Sequence, residues 1–494
     1  MRFYIDSSDL IAYVVIAENY LKYDLINEAN SHWSPLISIL LIPVNFCFEN
    51  HFTAFHFLQL LIGFFCVAQC NKIMIKQQLP VIFQLPAQVI LSVLIVYYGQ
   101  LWGTPDLLFL TVLLWGLNRL ISMNKSEVLT GFIFGLLFLA KSFGMVLFGA
   151  ILLTDIALNF LQNGFSVNQL LRSIKFAAGF LVVASFWIII LNQNQNRFTV
   201  STATDYNFDI MNPVLNPNPF DTMKHPALLD SLIPPSNDHS LFYWTTPFSF
   251  KMEPWRPWQT KDNTRHYLQI VKRNLFSLMS FYFGKDGGSL FVLILMVSLI
   301  KYGRKMFNAF NVLQIFIAAS LLTCILYLLI LVNHRYVWIA DITLVFCFFG
   351  LMFDLLIKKW YVATSLLTGL FAALVLFEPC HEVYCHAYDG KKELASIASL
   401  KDMQNWSSDR FCSVKGNEQF ENYTRSALIC YYLNSKYYGM ISSDIFSERG
   451  VEMLIKNKIR YVITYEPLRI SSTDEHFIER IKTRSCNVYE FRAN

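Results

Sequence analysis

The sequence is poor in charge. Of its 494 residues only 15% are Asp, Glu, Lys or Arg, while 54% are hydrophobic and phenylalanine alone supplies 44. Soluble domains carry roughly a quarter charged residues, so this balance excludes a soluble globular class and makes the chain an integral membrane protein. Internal repeats are absent, which counts against a transporter built from inverted halves. Low-complexity tracts are absent too, and no nucleic-acid partner is expected. No pair of cysteines has C-x₂-C spacing, so a zinc site is not read. After Arg2 the acids Asp6 and Asp9 come early and interrupt any apolar run, so no signal peptide is read. The net charge of +5 says little, because sign matters loop by loop.

Ten cysteines are present. Cys47, Cys66, Cys70, Cys324 and Cys347 lie in apolar stretches and are expected as buried small hydrophobes. Cys380, Cys385, Cys412, Cys430 and Cys486 lie in the polar C-terminal region, where five allow at most two bridges.

A bilayer core of roughly 30 Å takes about 20 apolar residues as helix. Charge-poor spans are read at 52–71, 79–98, 105–122, 127–144, 145–162, 173–192, 287–300, 311–333, 336–357 and 360–377. Lys141 and Asp155 interrupt 127–162, which reads as two short spans or a re-entrant pair. Residues 33–48 are apolar but short, and read as a helix lying on the membrane surface. Lys72, Lys76, Arg119, Lys125, Arg172, Lys175, Lys301, Arg304, Lys305, Lys358 and Lys359 all fall in short loops on one side if the spans alternate, and that side is the cytoplasmic one. Residues 1–51, the loop 193–286 and the tail 378–494 are then extracytoplasmic, with the bundle divided into 52–192 and 287–377.

The tail reads as a small α/β domain. "GVEMLIKNKIRYVITY" is an amphipathic helix leading into a strand, and "CNVYEFRA" is a final strand. Sequons stand at Asn405 and Asn422, relevant only in a eukaryotic secretory pathway.

Several residues carry chemistry. Asp9, Tyr13, Ala17 and Tyr20 share one face of a helix starting near Asp9. Asp106 in "WGTPDLL" opens an apolar span on the outer side. A plain helix cap is the alternative for each acid. Lys141 in "GLLFLAKSFG" is a cation at membrane depth, where such residues are costly, with snorkelling as its alternative. Arg335 in "NHRYVW" stands between two apolar runs, and its guanidinium suits a phosphate, with an interfacial anchor as its alternative. The aromatic loop "FYWTTPFSFKMEPWRPW", 242–258, suits either sugar binding or the headgroup layer. Two carboxylates and two cations on one outer face suit transfer from an anionic lipid. One acid would take a proton from an acceptor hydroxyl, and the cations would stabilise the departing phosphate.

These motifs, in this order, resemble bacterial GT-C-fold glycosyltransferases, relatives of the dolichyl-phosphate-mannose protein mannosyltransferases and of the aminoarabinose transferase that modifies lipid A. D-x-x-x-Y followed by "INEANSHWSPLIS" resembles the first extracytoplasmic loop of that family. "TPDLL" is similar to its second acidic motif, "GFIFGLLFLAKS" to its glycine-rich span ending in Lys, and "HRYVWIADITLVF" to its late Arg-Tyr motif. "YYLNSKYYGMI" and "LIKNKIRYVITY" are similar to its tail domain. The resemblance implies a mainly α, polytopic fold of about ten transmembrane helices with a small extracytoplasmic α/β domain. It implies a polyprenyl-phosphate-linked sugar donor and an inverting transfer to a protein, lipid or glycan acceptor in the cell envelope, in contact with membrane lipids. Asp9 would be the catalytic base and Asp106 a second acid orienting base or acceptor. Tyr13, His32, Trp33, Lys141, Arg335 and Tyr336 would line the donor, with Lys141 and Arg335 on the phosphate. No cofactor is required, and a divalent cation between the two carboxylates stays open. Members normally carry a membrane span ahead of the Asp loop, whereas only eight residues precede Asp9 here. Two readings of a different class remain: a flippase of lipid-linked sugar, and a non-catalytic lipid-binding relative. A bacterial inner membrane is the expected location.

Overall fold

The structure is a computed structural model. It describes residues 4–5, 7–122, 126–164, 166–195, 198–220, 232–246, 255–283, 294, 297, 312–401, 406, 409–416, 419–442, 444–468, 476–482 and 486–492. Long apolar runs can satisfy all their backbone groups within one segment in hydrocarbon only as helix. Accordingly α1 (Ser8–Lys22), α2 (Leu36–Asn45), α3 (His51–Lys76), α4 (Val81–Leu101), α5 (Asp106–Ile121), α6 (Glu127–Ala140), α7 (Phe143–Asn163) and α8 (Val167–Gln195) follow one another closely. After them come α9 (Ala203–Ile210), α10 (Lys261–Phe283), α11 (Val312–Leu328), a 3₁₀ turn at His334–Val337, α12 (Trp338–Ile357), α13 (Tyr361–Cys385) and α14 (Asp389–Lys401).

Among the described residues six stretches are long and apolar enough to cross a membrane: His51–Lys76, Val81–Leu101, Phe143–Leu161, Val167–Gln195, His334–Ile357 and Tyr361–Lys391. Three shorter helices, α2, α6 and α11, are also apolar. Large apolar side chains such as Phe64, Leu85, Leu153, Phe186, Val362 and Leu366 stand exposed on these helices. Exposure of this kind would be costly in water and is what a lipid-facing surface requires. The chain is an integral membrane protein, mainly helical, with a small C-terminal sheet. The helix expected to stop at 377 runs on to Cys385, and the span expected at 287–300 lies outside the described residues save 294 and 297.

Residues 127–162 form two helices, with Lys141 extended between them (φ −158°, ψ 130°). The packing of α6 on α8 depends on glycine. A Cβ on Gly131 would lie 2.0 Å from the Phe176 carbonyl oxygen, and one on Gly179 would lie 2.0 Å from that of Val128. The two backbones touch, as small residues at helix crossings in membranes allow. This contact fixes α6, and hence where Lys141 emerges.

The C-terminal sheet comprises β1 (Arg410–Val414), β2 (Lys436–Ile441), β3 (Tyr461–Thr464), β4 (Phe477–Lys482) and β5 (Asn487–Phe491), with α15 (Gln419–Tyr432) and α16 (Glu448–Lys456) between strands. The order is β2-β1-β3-β5-β4. The first three are parallel, and β5 pairs antiparallel with β3 and β4. The open edge of β2 is covered by the 232–242 segment: Tyr437 N–H donates to Leu241 O at 3.0 Å and Ile233 N–H to Tyr438 O at 2.8 Å.

The three long polar segments meet. Glu18 on α1 takes His51 Nδ1 at 2.5 Å and a hydrogen bond from the Tyr431 hydroxyl of α15. Asn50 donates to the Tyr432 hydroxyl at 2.7 Å, and Thr202 N–H donates to Ser31 O at 2.9 Å. Residues near the start, the 193–286 region and the tail therefore form one polar body.

One expectation about side chains fails in part. Cys47 is exposed just beyond α2, because the apolar run ends there, and Cys324 is half-buried, while Cys66, Cys70 and Cys347 are buried as expected. No disulfide joins the tail cysteines among the described residues. Asn422 is 3% exposed, so its sequon is closed to modification in the folded chain. Asn405 lies outside the described residues.

Candidate active site

Asp9 sits in the first turn of α1, and the next turns of that helix bury Tyr13, Ala17 and Tyr20 on the expected face. Its side chain is not spent on the helix end. Oδ1 accepts from the Trp244 indole N–H at 2.9 Å, and Oδ2 accepts from Arg335 Nη2 at 3.2 Å.

Asp106 opens α5 after Pro105, and it too makes no cap hydrogen bond. Oδ1 takes Lys141 Nζ at 2.6 Å, and Oδ2 takes the Thr104 hydroxyl at 2.7 Å. Arg335 Nε lies 3.5 Å from the same Oδ2. The guanidinium thus lies between the two acids. Its turn is set by Asn333, whose side chain accepts from Arg335 N–H at 3.2 Å.

Lys141 turns into the cavity. Its ammonium is held by Asp106 and lies 3.6 Å from the centre of the Tyr336 ring, a cation–π contact. Tyr336 stacks on Tyr327 at 4.7 Å, and Tyr327 stacks on Phe143 at 3.8 Å. Phe143 follows Lys141 by two residues, so the stack closes on the segment it supports.

The four charges cancel: two carboxylates and two cations. Leaving any one of them unpaired at this depth would cost several kcal/mol. Their accessibility differs. The Asp106 side chain is 4% exposed, while those of Asp9, Arg335 and Lys141 are 16%, 17% and 21% exposed. Asp9, Arg335 and Lys141 therefore present reachable atoms, and Asp106 acts from behind them.

These residues line one cavity of about 600 Å³. Every site residue expected from the sequence lines it: Asp9, Tyr13, His32, Trp33, Asp106, Lys141, Arg335 and Tyr336. Trp33 is almost fully buried, and its indole donates to Trp244 O at 2.9 Å, so it shapes the wall. His32 meets Trp33, Tyr206 and Trp244 at ring distances of 4.8, 5.0 and 5.5 Å. Burial pushes the Tyr13 hydroxyl upward, well above its ordinary range, with Asp9 and Asp106 adding to the effect. Tyr13 is thus a neutral hydrogen-bonding group beside Asp9. Of the loop 242–258, Phe242, Tyr243 and Trp244 are buried, and 247–254 lie outside the described residues.

Three contributors escaped the sequence. Trp244 stands 235 positions from Asp9, and only the fold brings them together. Thr104 looks like an ordinary turn residue. Asp341, behind the cavity, accepts from Tyr98 and Tyr282 and pairs with His334. An acid inside the apolar run "WIADITLVF" was a signal in plain view. Among the described residues no group of three or more His, Cys, Asp or Glu side chains is placed to hold a metal ion.

No family model and no curated protein matches the sequence. The structure is similar to two crystal structures of ArnT from Cupriavidus metallidurans. The apo state aligns at 11% identity and a TM-score of 0.44, covering 99% of this chain and 94% of that one. The state bound to undecaprenyl phosphate aligns at 12% identity and a TM-score of 0.43, with the same coverage.

Proposed function

We propose that the protein is an inverting glycosyltransferase of GT-C type. It moves a sugar from a polyprenyl-phosphate carrier to an acceptor hydroxyl on the extracytoplasmic face of a bacterial inner membrane. The observation that carries this reading is the sharing of Arg335 between Asp9 and Asp106 in one cavity.

The chemistry follows from the charges. The acceptor oxygen attacks the anomeric carbon while Asp9 takes its proton, and the bond from that carbon to the phosphate oxygen breaks. A single displacement inverts the centre. As Asp9 is neutralised it releases its hold on Arg335, at the moment when the leaving phosphate gains charge. Arg335 and Lys141 then face that phosphate, an interaction stronger in the transition state than before it. Asp106 keeps both cations aimed and is a positioning acid. Tyr13, His32, Trp33 and Tyr336 shape the space beside them. No cofactor is part of this reading, and sugar and acceptor are not specified by it.

The test is transfer of radiolabelled sugar from a polyprenyl-phosphate donor by reconstituted protein, with Asp9→Asn alongside. Loss of transfer with retained polyprenyl-phosphate binding is expected. Full transfer by the variant would remove Asp9 as base, and flipping of the donor without transfer would favour a transporter.

A further inference from the structure

His334 and Arg335 are neighbours on one four-residue turn, and they face different acids. Arg335 reaches Asp9 and Asp106, whereas His334 Nε2 lies 3.1 Å from Asp341 Oδ2. Asp341 belongs to the first turn of α12, and its side chain is 10% exposed. It is further held by the Tyr98 hydroxyl of α4, which donates to Oδ2 at 2.7 Å, and by the Tyr282 hydroxyl of α10, which donates to Oδ1 at 2.9 Å. Trp338, the first residue of α12, stacks on Tyr98 at 4.0 Å. Phe281 packs on His334 at a ring distance of 5.4 Å.

The turn is therefore tied on both sides. Without Asp341 His334 would lose its ion-pair partner, and the turn would be held by its own short backbone bonds and by the Asn333 side chain on Arg335 N–H. A 3₁₀ turn this short has poor hydrogen-bond geometry of its own. A guanidinium must be held within about half an ångström to serve two acids and a phosphate.

We infer that Asp341 and His334 are positioning residues for Arg335. Through that arginine they set the affinity of the site for the phosphate of a polyprenyl carrier. Tyr282 makes α10 a party to this, so the 193–286 region contributes to phosphate binding from outside the cavity. This inference rests on the proposed role of Arg335, and the experiment separates the two.

Binding of sugar-free polyprenyl phosphate to detergent-solubilised full-length protein is measured by tryptophan fluorescence, and the melting temperature is recorded in parallel. His334→Ala and Asp341→Asn are expected to raise Kd about tenfold at temperatures where each variant is folded. His334→Gln, which keeps a donor towards Asp341, is expected to return Kd to within about threefold of the parent. A purely structural role would lower the melting temperatures of His334→Ala and Asp341→Asn, leave Kd unchanged and give no rescue. If Arg335→Gln weakens binding while His334→Ala and Asp341→Asn do not, the inference falls and the transferase reading stands. If the parent protein binds no polyprenyl phosphate, both fall.

Discussion

Arg335 Nη2 lies 3.2 Å from Asp9 Oδ2, although the two residues are 326 positions apart in the chain. The pair joins the first helix to a turn that opens a late candidate membrane span, and both side chains are partly buried at the cavity wall. Its consequences extend from chemistry to stability.

Arg335→Gln is expected to lower the transfer rate by about 10²-fold or more, the usual effect of removing a donor aimed at developing charge. Lys in its place should recover little, because an ammonium cannot fork between Asp9 and Asp106. Initial rates at saturating donor decide this. Equal activity of the Lys variant would mean that only charge matters.

Trp244→Phe keeps most of the ring packing and removes the indole hydrogen bond to Asp9. A hydrogen bond to a charged group is worth about 1.5–3 kcal/mol. A fall of roughly tenfold or more in kcat, with little change in donor KM, is the expected pattern. An unaltered kcat would show that Trp244 only fills the wall.

Asp106 and Lys141 should be tightly coupled. Each single change, Asp106→Asn or Lys141→Gln, leaves a buried charge short of its partner and is expected to destabilise the fold by about 3 kcal/mol. The double variant should cost less than the sum, with a coupling of about 1–3 kcal/mol. Denaturant or thermal unfolding in detergent gives the four values. Strict additivity would separate the two residues.

Gly179→Leu or Gly131→Leu should separate α6 from α8. Even a Cβ at either position would sit 2.0 Å from a carbonyl oxygen, so the backbones must part. A destabilisation of about 1–3 kcal/mol or more is expected. Because Lys141 follows α6 directly, transfer should fall further than melting alone accounts for. Gly149 has nothing within 4 Å of an added Cβ, so Gly149→Ala serves as the neutral control.

The wall helix α9 carries a pH signature. Burial pushes the Asp209 carboxyl up to about 6, with Asp205 adding to the rise and Arg256 opposing it. The folded state therefore holds this proton more firmly than the unfolded chain. The associated stability is complete below the ordinary carboxyl range and is lost as pH rises through about 6. Asp209→Asn should flatten the stability profile between about pH 4 and 6. Parallel melting curves for parent and variant across that window would contradict the assignment.

Much of this was legible in the sequence because membrane helices announce themselves by run length. The spans read at 79–98, 105–122 and 360–377 all recur as helices, and the face carrying Asp9 and Tyr13 follows from helical spacing alone. Charged residues in apolar surroundings, Asp106, Lys141 and Arg335, were conspicuous for the same reason. What stayed hidden was pairing. Nothing local in "FYWTT" shows that Trp244 reaches Asp9, and nothing near Thr104 shows that its hydroxyl completes Asp106. Asp341 was overlooked inside a span judged by its mean character. The exposure of Cys47 and the burial of Asn422 were equally beyond reach, since both depend on where neighbouring elements end.

The sharing of one guanidinium by residues so far apart also has a temporal side. At a synthesis rate of about 5–20 residues per second, roughly a quarter of a minute to a minute separates the emergence of Asp9 from that of Arg335. Tyr431, which clasps Glu18, comes later still. A nascent chain halted before 335 would lodge its early helices in the bilayer with Asp9 lacking its counter-ion, so the ribosome delivers a bundle first and the paired Asp9–Arg335 cavity only near the end.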